Sequence, residues 1–179
     1  MPENSLPRET IHKYHMEFYS FLEEYRRNHP GFNYGFRKNN RYNRLEDGFL
    51  FRGNNKYLSI SLSNDDDDNN RTATLDISYD FKTNKVYFHV YCSDINRIKY
   101  YTDLCDKFGL FFESNDNNNR IRRKVKITNL CYDNNWKHTL KNFLENHYEI
   151  IPAEIRISDE DYELMKAQVF QNIENMVKS

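Results

Sequence analysis

The chain has 179 residues, 38% of them hydrophobic, and a formal net charge of −1. This length suits one domain whose buried core is large enough to be stable without disulfides or a structural metal. Cys92, Cys105 and Cys131 lie far apart, without the paired spacing of a zinc site or the even count of a secreted disulfide scaffold. No apolar run reaches the length of a signal peptide or a membrane span. We therefore expect a single cytoplasmic domain, residues 1–179, with reduced cysteines.

The first predicted element is a helix over residues 6–28. Apolar side chains recur at spacings of three and four from Ile11 to Tyr25, which places them on one helix face. His29 and Pro30 end the helix, because the residue before a proline disfavours helical backbone angles.

Five strands are predicted next, where the hydrophobic period changes to two. They cover residues 33–38, 48–52, 56–63, 72–81 and 85–92. The loop between the last two is short, so these two strands should form an antiparallel hairpin.

Helices return in the second half of the chain. Helical spacing after Asp94, a predicted N-cap, indicates a helix that stops at Gly109. Strands over 110–113 and 122–130, a helix containing Trp136, and a last helix capped by Ser158 follow. This order predicts an α+β domain, with about four helices packed against a mostly antiparallel sheet. The last helix ends almost at the final residue, which fits a docked terminus or a domain excised from a longer polypeptide.

Two basic segments point to a polyanionic ligand. The first, Phe32 to Arg44, interleaves cations with aromatic rings and has no acidic residue, and the second covers residues 120–126. Cations contact phosphates and rings stack on exposed bases, so this mixture predicts nucleic-acid binding. The predicted phosphate contacts are Arg37, Lys38, Arg41, Arg44, Arg120, Arg122, Lys124 and Lys126. The alternative for the first segment is a solvated strand and loop whose long cationic side chains shield aromatic groups.

Alternation within the strands assigns side chains to faces. The cations of residues 120–126 at even positions share one strand face, which is tolerable only beside water, acids or an anion. Asp65–Asp68 is the alternative acidic partner. Tyr87, His89 and Tyr91 share a hairpin face that either stacks bases or supports a packed helix. The predicted stacking residues are Tyr34, Phe36, Tyr42, Phe49, Phe51, Tyr87 and Tyr91.

Catalytic signatures are missing from the sequence, including a glycine-rich phosphate loop, a nucleophile elbow and zinc-hydrolase motifs. Asp76, Asp80 and Lys82 have the residue types of a metal-dependent nuclease, but not its spacing. His12 and His15 are one helical turn apart and lack a third ligand, which favours exposed histidines. We expect a non-enzymatic chain that needs neither cofactor nor metal.

The run LEDGFLFRGNNKYLSISL, residues 45–62, follows a helix that ends in His-Pro and a basic-aromatic strand. Over residues 18–92 this pattern resembles the N-terminal DNA-recognition domains of McrB-type modification-dependent restriction proteins. The resemblance implies a DNA-binding module of a prokaryotic restriction or defence system, which reads a modified base flipped into a pocket. It also implies a GTPase motor domain in the same polypeptide and a nuclease subunit as partners. Tyr34, Phe36, Phe49 and Phe51 would then be pocket residues.

A protein-interaction or regulatory module of phage or bacterial origin is the alternative function. The stretch from Glu149 onward has seven acidic and three basic residues, and this acidic face together with the aromatic sheet would dock on another protein.

Overall fold

The computed structural model describes residues 6–38, 44–64, 73–114, 121–129 and 135–178. Within these ranges four α-helices and a six-stranded antiparallel sheet confirm the predicted α+β class. The helices are α1 (Arg8–Asn28), α2 (Ile98–Lys107), α3 (Trp136–His147) and α4 (Asp159–Val177). The strands are β1 (Arg52–Gly53), β2 (Tyr57–Ser61), β3 (Ala73–Asp80), β4 (Lys85–Cys92), β5 (Glu113–Ser114) and β6 (Ile121–Asn129).

The first helix and the central hairpin are confirmed. Helix α1 ends at Asn28, as the following His-Pro predicts. Strands β3 and β4 pair antiparallel over their whole length, with Ala73 opposite Cys92 at one end. These are the elements whose periodicity in the sequence is strongest.

The predicted strand over 33–38 is wrong. Its N–H groups donate to separate neighbours instead of forming one continuous ladder. Gly35 donates to the carbonyl oxygen of Ser61 at 2.8 Å, and Arg37 donates to that of Leu50 at 2.7 Å. The segment therefore lies along the edge of the sheet without joining it.

Three predicted boundaries also move. Strands β1 and β5 have two residues each, against five and four in the predictions. Gly48 and Gly53 have φ angles of +74° and +125°, which bend the chain on both sides of the β1 region. Helix α2 has Arg97 as its N-cap instead of Asp94, whose carboxylate accepts the N–H of Asn96 in the preceding turn.

The strand order is β1-β2-β3-β4-β6-β5. After β4 the chain forms α2 and then β5, and β6 returns to lie between β4 and β5. This return places the second basic segment beside the Tyr87, His89 and Tyr91 strand.

The two faces of the sheet differ in what covers them. On the inner face, Phe88 contacts Phe108 beside α2 at a ring-centroid distance of 4.8 Å and Phe143 of α3 at 5.2 Å. On the same face, Tyr79 contacts Tyr14 of α1 at 5.1 Å. Burial of such rings stabilises the folded state, because each ring removes a large apolar area from water. The helices α1 to α3 thus cover the inner face.

Helix α4 docks on α1 through a shared carboxylate. Glu23 of α1 accepts hydrogen bonds from the hydroxyls of Tyr34 and Tyr162, and Lys166 donates to it at 2.8 Å. Burial and the adjacent Glu23 raise the pKa of Tyr34 far above its ordinary value, so its phenol stays protonated and donates. The carboxylate thereby orients the aromatic contacts of α4.

The predicted cap of α4 is confirmed and is testable. Ser158 Oγ accepts the N–H of Asp161 at 3.1 Å, so Ser158→Ala should lower the free energy of unfolding by about 1 kcal/mol. Ser158→Asp is the matched control, because aspartate caps equally well. Urea denaturation measures the difference, and equal stability of the two variants would contradict the capping role.

None of the helices in the described ranges combines the length and apolar character that crossing a membrane requires. Cys92 and Cys105 are buried and form no disulfide with each other, as expected, whereas Cys131 lies outside the described ranges.

Candidate nucleic-acid interface

Four of the predicted stacking residues, two in the first basic segment and two just after it, belong to the core. Tyr34, Phe49 and Phe51 are 0% exposed and Phe36 is 3% exposed. Phe36 stacks on Phe51 at 5.8 Å, and Tyr34 meets Tyr162 of α4 edge-on at 5.2 Å. No ring face is left for a base, so the predicted stacking and pocket roles of these four residues are wrong.

Two cations of this segment, Arg37 and Arg44, are engaged within the fold. Arg37 is buried and donates from Nε to the carbonyl of Phe51 at 3.1 Å and from Nη2 to that of Gly53 at 2.8 Å. Its predicted phosphate contact is therefore wrong, because its donors hold the chain at β1. Lys38 is exposed.

Arg44 is a half-buried cation of the same segment. It pairs with Asp47 at 3.6 Å, and its guanidinium lies 5.4 Å from the ring centroid of Phe49. Its charge is thus partly neutralised inside the fold. The predicted Arg41 and Tyr42 lie outside the described ranges.

The second basic segment forms β6, which pairs antiparallel with β4. The register sets Lys126 opposite Tyr87, Lys124 opposite His89 and Arg122 opposite Tyr91. Directly opposed residues of an antiparallel pair lie on the same face of the sheet. We call this face, which carries these three pairs, the outer face. The predicted Arg120 lies outside the described ranges.

The outer face offers both charge and ring surface. Arg122 and Lys126 are exposed, and Tyr87, His89 and Tyr91 are half-buried. Within the ranges that the structure describes, no carboxylate forms an ion pair with Arg122 or Lys126. The acidic run 65–68, the alternative partner of these cations, lies outside those ranges.

The neighbouring strand β3 carries a buried carboxylate on the outer face. Asp76, in register with His89, is 1% exposed. It accepts hydrogen bonds from Arg52 Nη2 at 2.9 Å, Thr74 Oγ1 at 3.0 Å and Ser61 Oγ at 3.2 Å. Arg52 therefore neutralises the carboxylate that is in register with His89. On the other side of β6, Glu113 of β5 is in register with Lys124.

The nuclease arrangement considered from the sequence does not assemble. Asp76 and Asp80 stand four residues apart on β3, about 13 Å at the rise of a strand. Asp80 Oδ1 accepts the N–H groups of Lys82 and Thr83 at 2.9 and 3.0 Å, which holds the turn of the hairpin. In the part of the chain that the structure describes, no group of three His, Cys, Asp or Glu side chains could hold a metal ion.

The two histidines of α1 have separate structural roles. His12 is exposed and donates from Nδ1 to the carbonyl of Gly48 at 3.0 Å. His15, expected to be exposed, is instead 0% exposed and stacked on Phe49 and Phe51. Because helical spacing places it between Ile11 and Phe18 on the apolar face, its position could have been derived from the same pattern as the helix.

A small cavity between α1 and α3 was not expected from the sequence. Tyr25, His29 and Tyr148 contribute to its lining. His29 stacks on Tyr25 at 3.8 Å, and its Nε2 lies 3.4 Å from Glu145 Oε1. Burial, with the nearby Glu145, raises the pKa of Tyr25 to about 12. His29 Nδ1 also donates to the carbonyl of Tyr25 at 2.9 Å, and these contacts of His29 favour a structural role for the cavity.

The acidic C-terminal segment is partly engaged as well. Arg26 of α1 lies 3.8 Å from Asp159 and 3.5 Å from Glu163, and Asn64 donates to Asp161 at 2.9 Å. Part of the acidity predicted to attract a partner protein therefore stabilises the start of α4, where carboxylates also favour the helix dipole.

Comparison of the chain with protein-family models, curated proteins and solved structures finds no match. The resemblance to McrB-type domains therefore stays a prediction, and the outer face is the candidate interface on its own geometry.

Proposed function

We propose that this chain is a non-enzymatic nucleic-acid-binding domain, with DNA as the first ligand to test, which binds through the outer face of its sheet. The β4–β6 register carries the proposal, since it sets three cationic residues directly beside three ring-bearing residues. Cationic side chains contact phosphates, and ring-bearing side chains stack on exposed bases.

Two exposed cations of the outer face, Arg122 and Lys126, are placed to contact phosphates. Arg122 and Lys126 are exposed on the outer face and lie two register rows apart, a distance of about 13 Å at the strand rise. Two separated phosphates along one backbone can therefore be contacted together. Neutralising each contact releases condensed counterions, so binding should weaken as salt rises.

Replacing Arg122 and Lys126 with Ala should weaken DNA binding and reduce its salt dependence. Each lost phosphate contact is expected to make the slope of log K against log salt shallower by roughly 1. Fluorescence anisotropy of a labelled oligonucleotide between about 50 and 300 mM salt measures both quantities. Lys107→Ala is the matched control, because Lys107 is an exposed cation at the end of α2, on the inner-face side.

Unchanged affinity and slope in the double variant would contradict the proposed interface. Absence of any binding to single-stranded or duplex DNA at about 50 mM salt would contradict nucleic-acid binding altogether. A protein partner that co-purifies in high salt without nucleic acid would favour the interaction module instead.

A further inference from the structure

We infer that the ligand of the outer face is a single strand, of which three consecutive nucleotides lie on three cation–ring rows; this inference rests on the proposed function. The rows are Lys126 with Tyr87, Lys124 with His89, and Arg122 with Tyr91. The cations all belong to β6 and the rings all belong to β4, so the backbone of the strand would follow β6 and its bases would cover β4.

The distances across a row suit one nucleotide. Neighbouring strands lie about 4.8 Å apart, so a phosphate on a β6 cation has its own base above the adjacent β4 ring. The ring centroids of His89 and Tyr91 are 6.5 Å apart and their planes are inclined by 30°, a separation wide enough for one base to stack on each ring. Each ring thus presents a separate platform.

The distance between rows excludes stacked bases. Successive rows are two residues apart, about 6.7 Å along the strand, whereas stacked bases in a duplex rise about 3.4 Å per nucleotide. A ligand that places one base on each ring must be stretched to about twice its stacked spacing. A single strand can extend in this way because no complementary strand fixes its stack.

Duplex DNA does not fit the outer face. Its major groove admits a helix or a two-stranded ribbon, and the faces of its bases are covered by their neighbours. Flipping a base out of a duplex needs a pocket, and Tyr34, Phe36, Phe49 and Phe51, the rings predicted to form one, are buried in the core. The outer face therefore favours bases that are already unpaired.

The polar residues of β3 beside the rings offer little means of distinguishing one base from another. Thr74 and Asp76 are 1% exposed and bond to each other, and Ser78 Oγ is bonded to Ser59 Oγ at 3.1 Å. The polar groups of Thr74 and Asp76 are thus closed to base edges above β3, and the hydroxyl of Ser78 already has a partner. Stacking is sequence-tolerant because every base has a π-face, so binding should depend weakly on base sequence.

The test compares a labelled oligothymidine of about 12 nucleotides with a duplex of the same length at one salt concentration. We expect the single strand to bind at least tenfold more tightly. Tyr87→Leu and Tyr91→Leu should each weaken single-strand binding about tenfold while leaving the salt slope unchanged, and Tyr87→Phe should retain binding. Tyr100→Leu, at an exposed tyrosine of α2, is the control, and circular dichroism verifies that every variant is folded.

The outcomes separate this inference from the function on which it rests. Duplex binding that equals or exceeds single-strand binding, or parental affinity in both leucine variants, would overturn the single-strand inference and leave nucleic-acid binding standing. Failure to bind either DNA would overturn both. Strong preference for one base sequence would overturn the sequence-tolerant stacking mode.

Discussion

The free energy of unfolding should fall by about 1.4 kcal/mol for each pH unit below pH 6.5 through the titration of one residue, His15. Burial, with Arg37 and His12 nearby, lowers the pKa of His15 from 6.5 to about 3. Between these values the unfolded chain binds a proton that the folded protein does not, so acid favours unfolding. The stability contributed by the neutral ring is complete above pH 6.5 and is progressively lost towards pH 3.

The hydrogen bonding of His15 explains why the folded protein keeps it neutral. Its Nδ1 accepts the N–H of Phe51 at 3.1 Å, which requires that nitrogen to be unprotonated. The other nitrogen, Nε2, is buried and has no hydrogen-bond partner in the described structure. A charged ring would therefore lose the Phe51 bond and add an unsolvated charge.

His15→Asn isolates this effect, because the side-chain oxygen of Asn can accept the Phe51 N–H but does not titrate. We expect lower stability at pH 7, from the lost ring, and a shallower dependence of stability on pH between about 6.5 and 4. Urea denaturation at several pH values gives both quantities. His138→Asn, at an exposed histidine of α3, is the control, and a parental slope in His15→Asn would refute the prediction.

Arg52→Met should cost about 3–5 kcal/mol of unfolding free energy, because it leaves the buried Asp76 carboxylate without its cation. The Arg52 side chain is 14% exposed and that of Asp76 is 1% exposed. The hydroxyls of Ser61 and Thr74 remain as donors, but they carry no charge.

A double-mutant cycle tests this assignment. The double variant Arg52→Met/Asp76→Asn should lose less unfolding free energy than the two single variants lose together, and the difference should exceed about 1 kcal/mol. Lys99→Met is the control, since it removes a shorter ion pair, Lys99 with Asp103 at 2.7 Å, whose side chains are 86% and 55% exposed. That change should alter stability little, because water already solvates both charges. Additive effects in the cycle would show that Arg52 acts through other contacts.

Much of the fold could be predicted from local periodicity. The spacing of Ile11 to Tyr25 predicted α1, and the alternation along β3 and β4 predicted their hairpin, because side-chain direction repeats with a fixed period in each element. The 33–38 segment was assigned wrongly for the same reason. Its residues have strand composition, but whether a segment joins a sheet depends on distant partners, here Leu50 and Ser61.

The candidate interface likewise depends partly on local periodicity and partly on contacts between distant segments. The sequence by itself determined that Tyr87, His89 and Tyr91 share one face of β4, and that Arg122 and Lys126 share one face of β6, because alternation is a property of each strand alone. Only the tertiary structure decided that these two faces are neighbours. It also decided that Tyr34, Phe36, Phe49 and Phe51 lie in the core. Both outcomes depend on strand pairing and burial over long sequence separations, which composition and period do not encode.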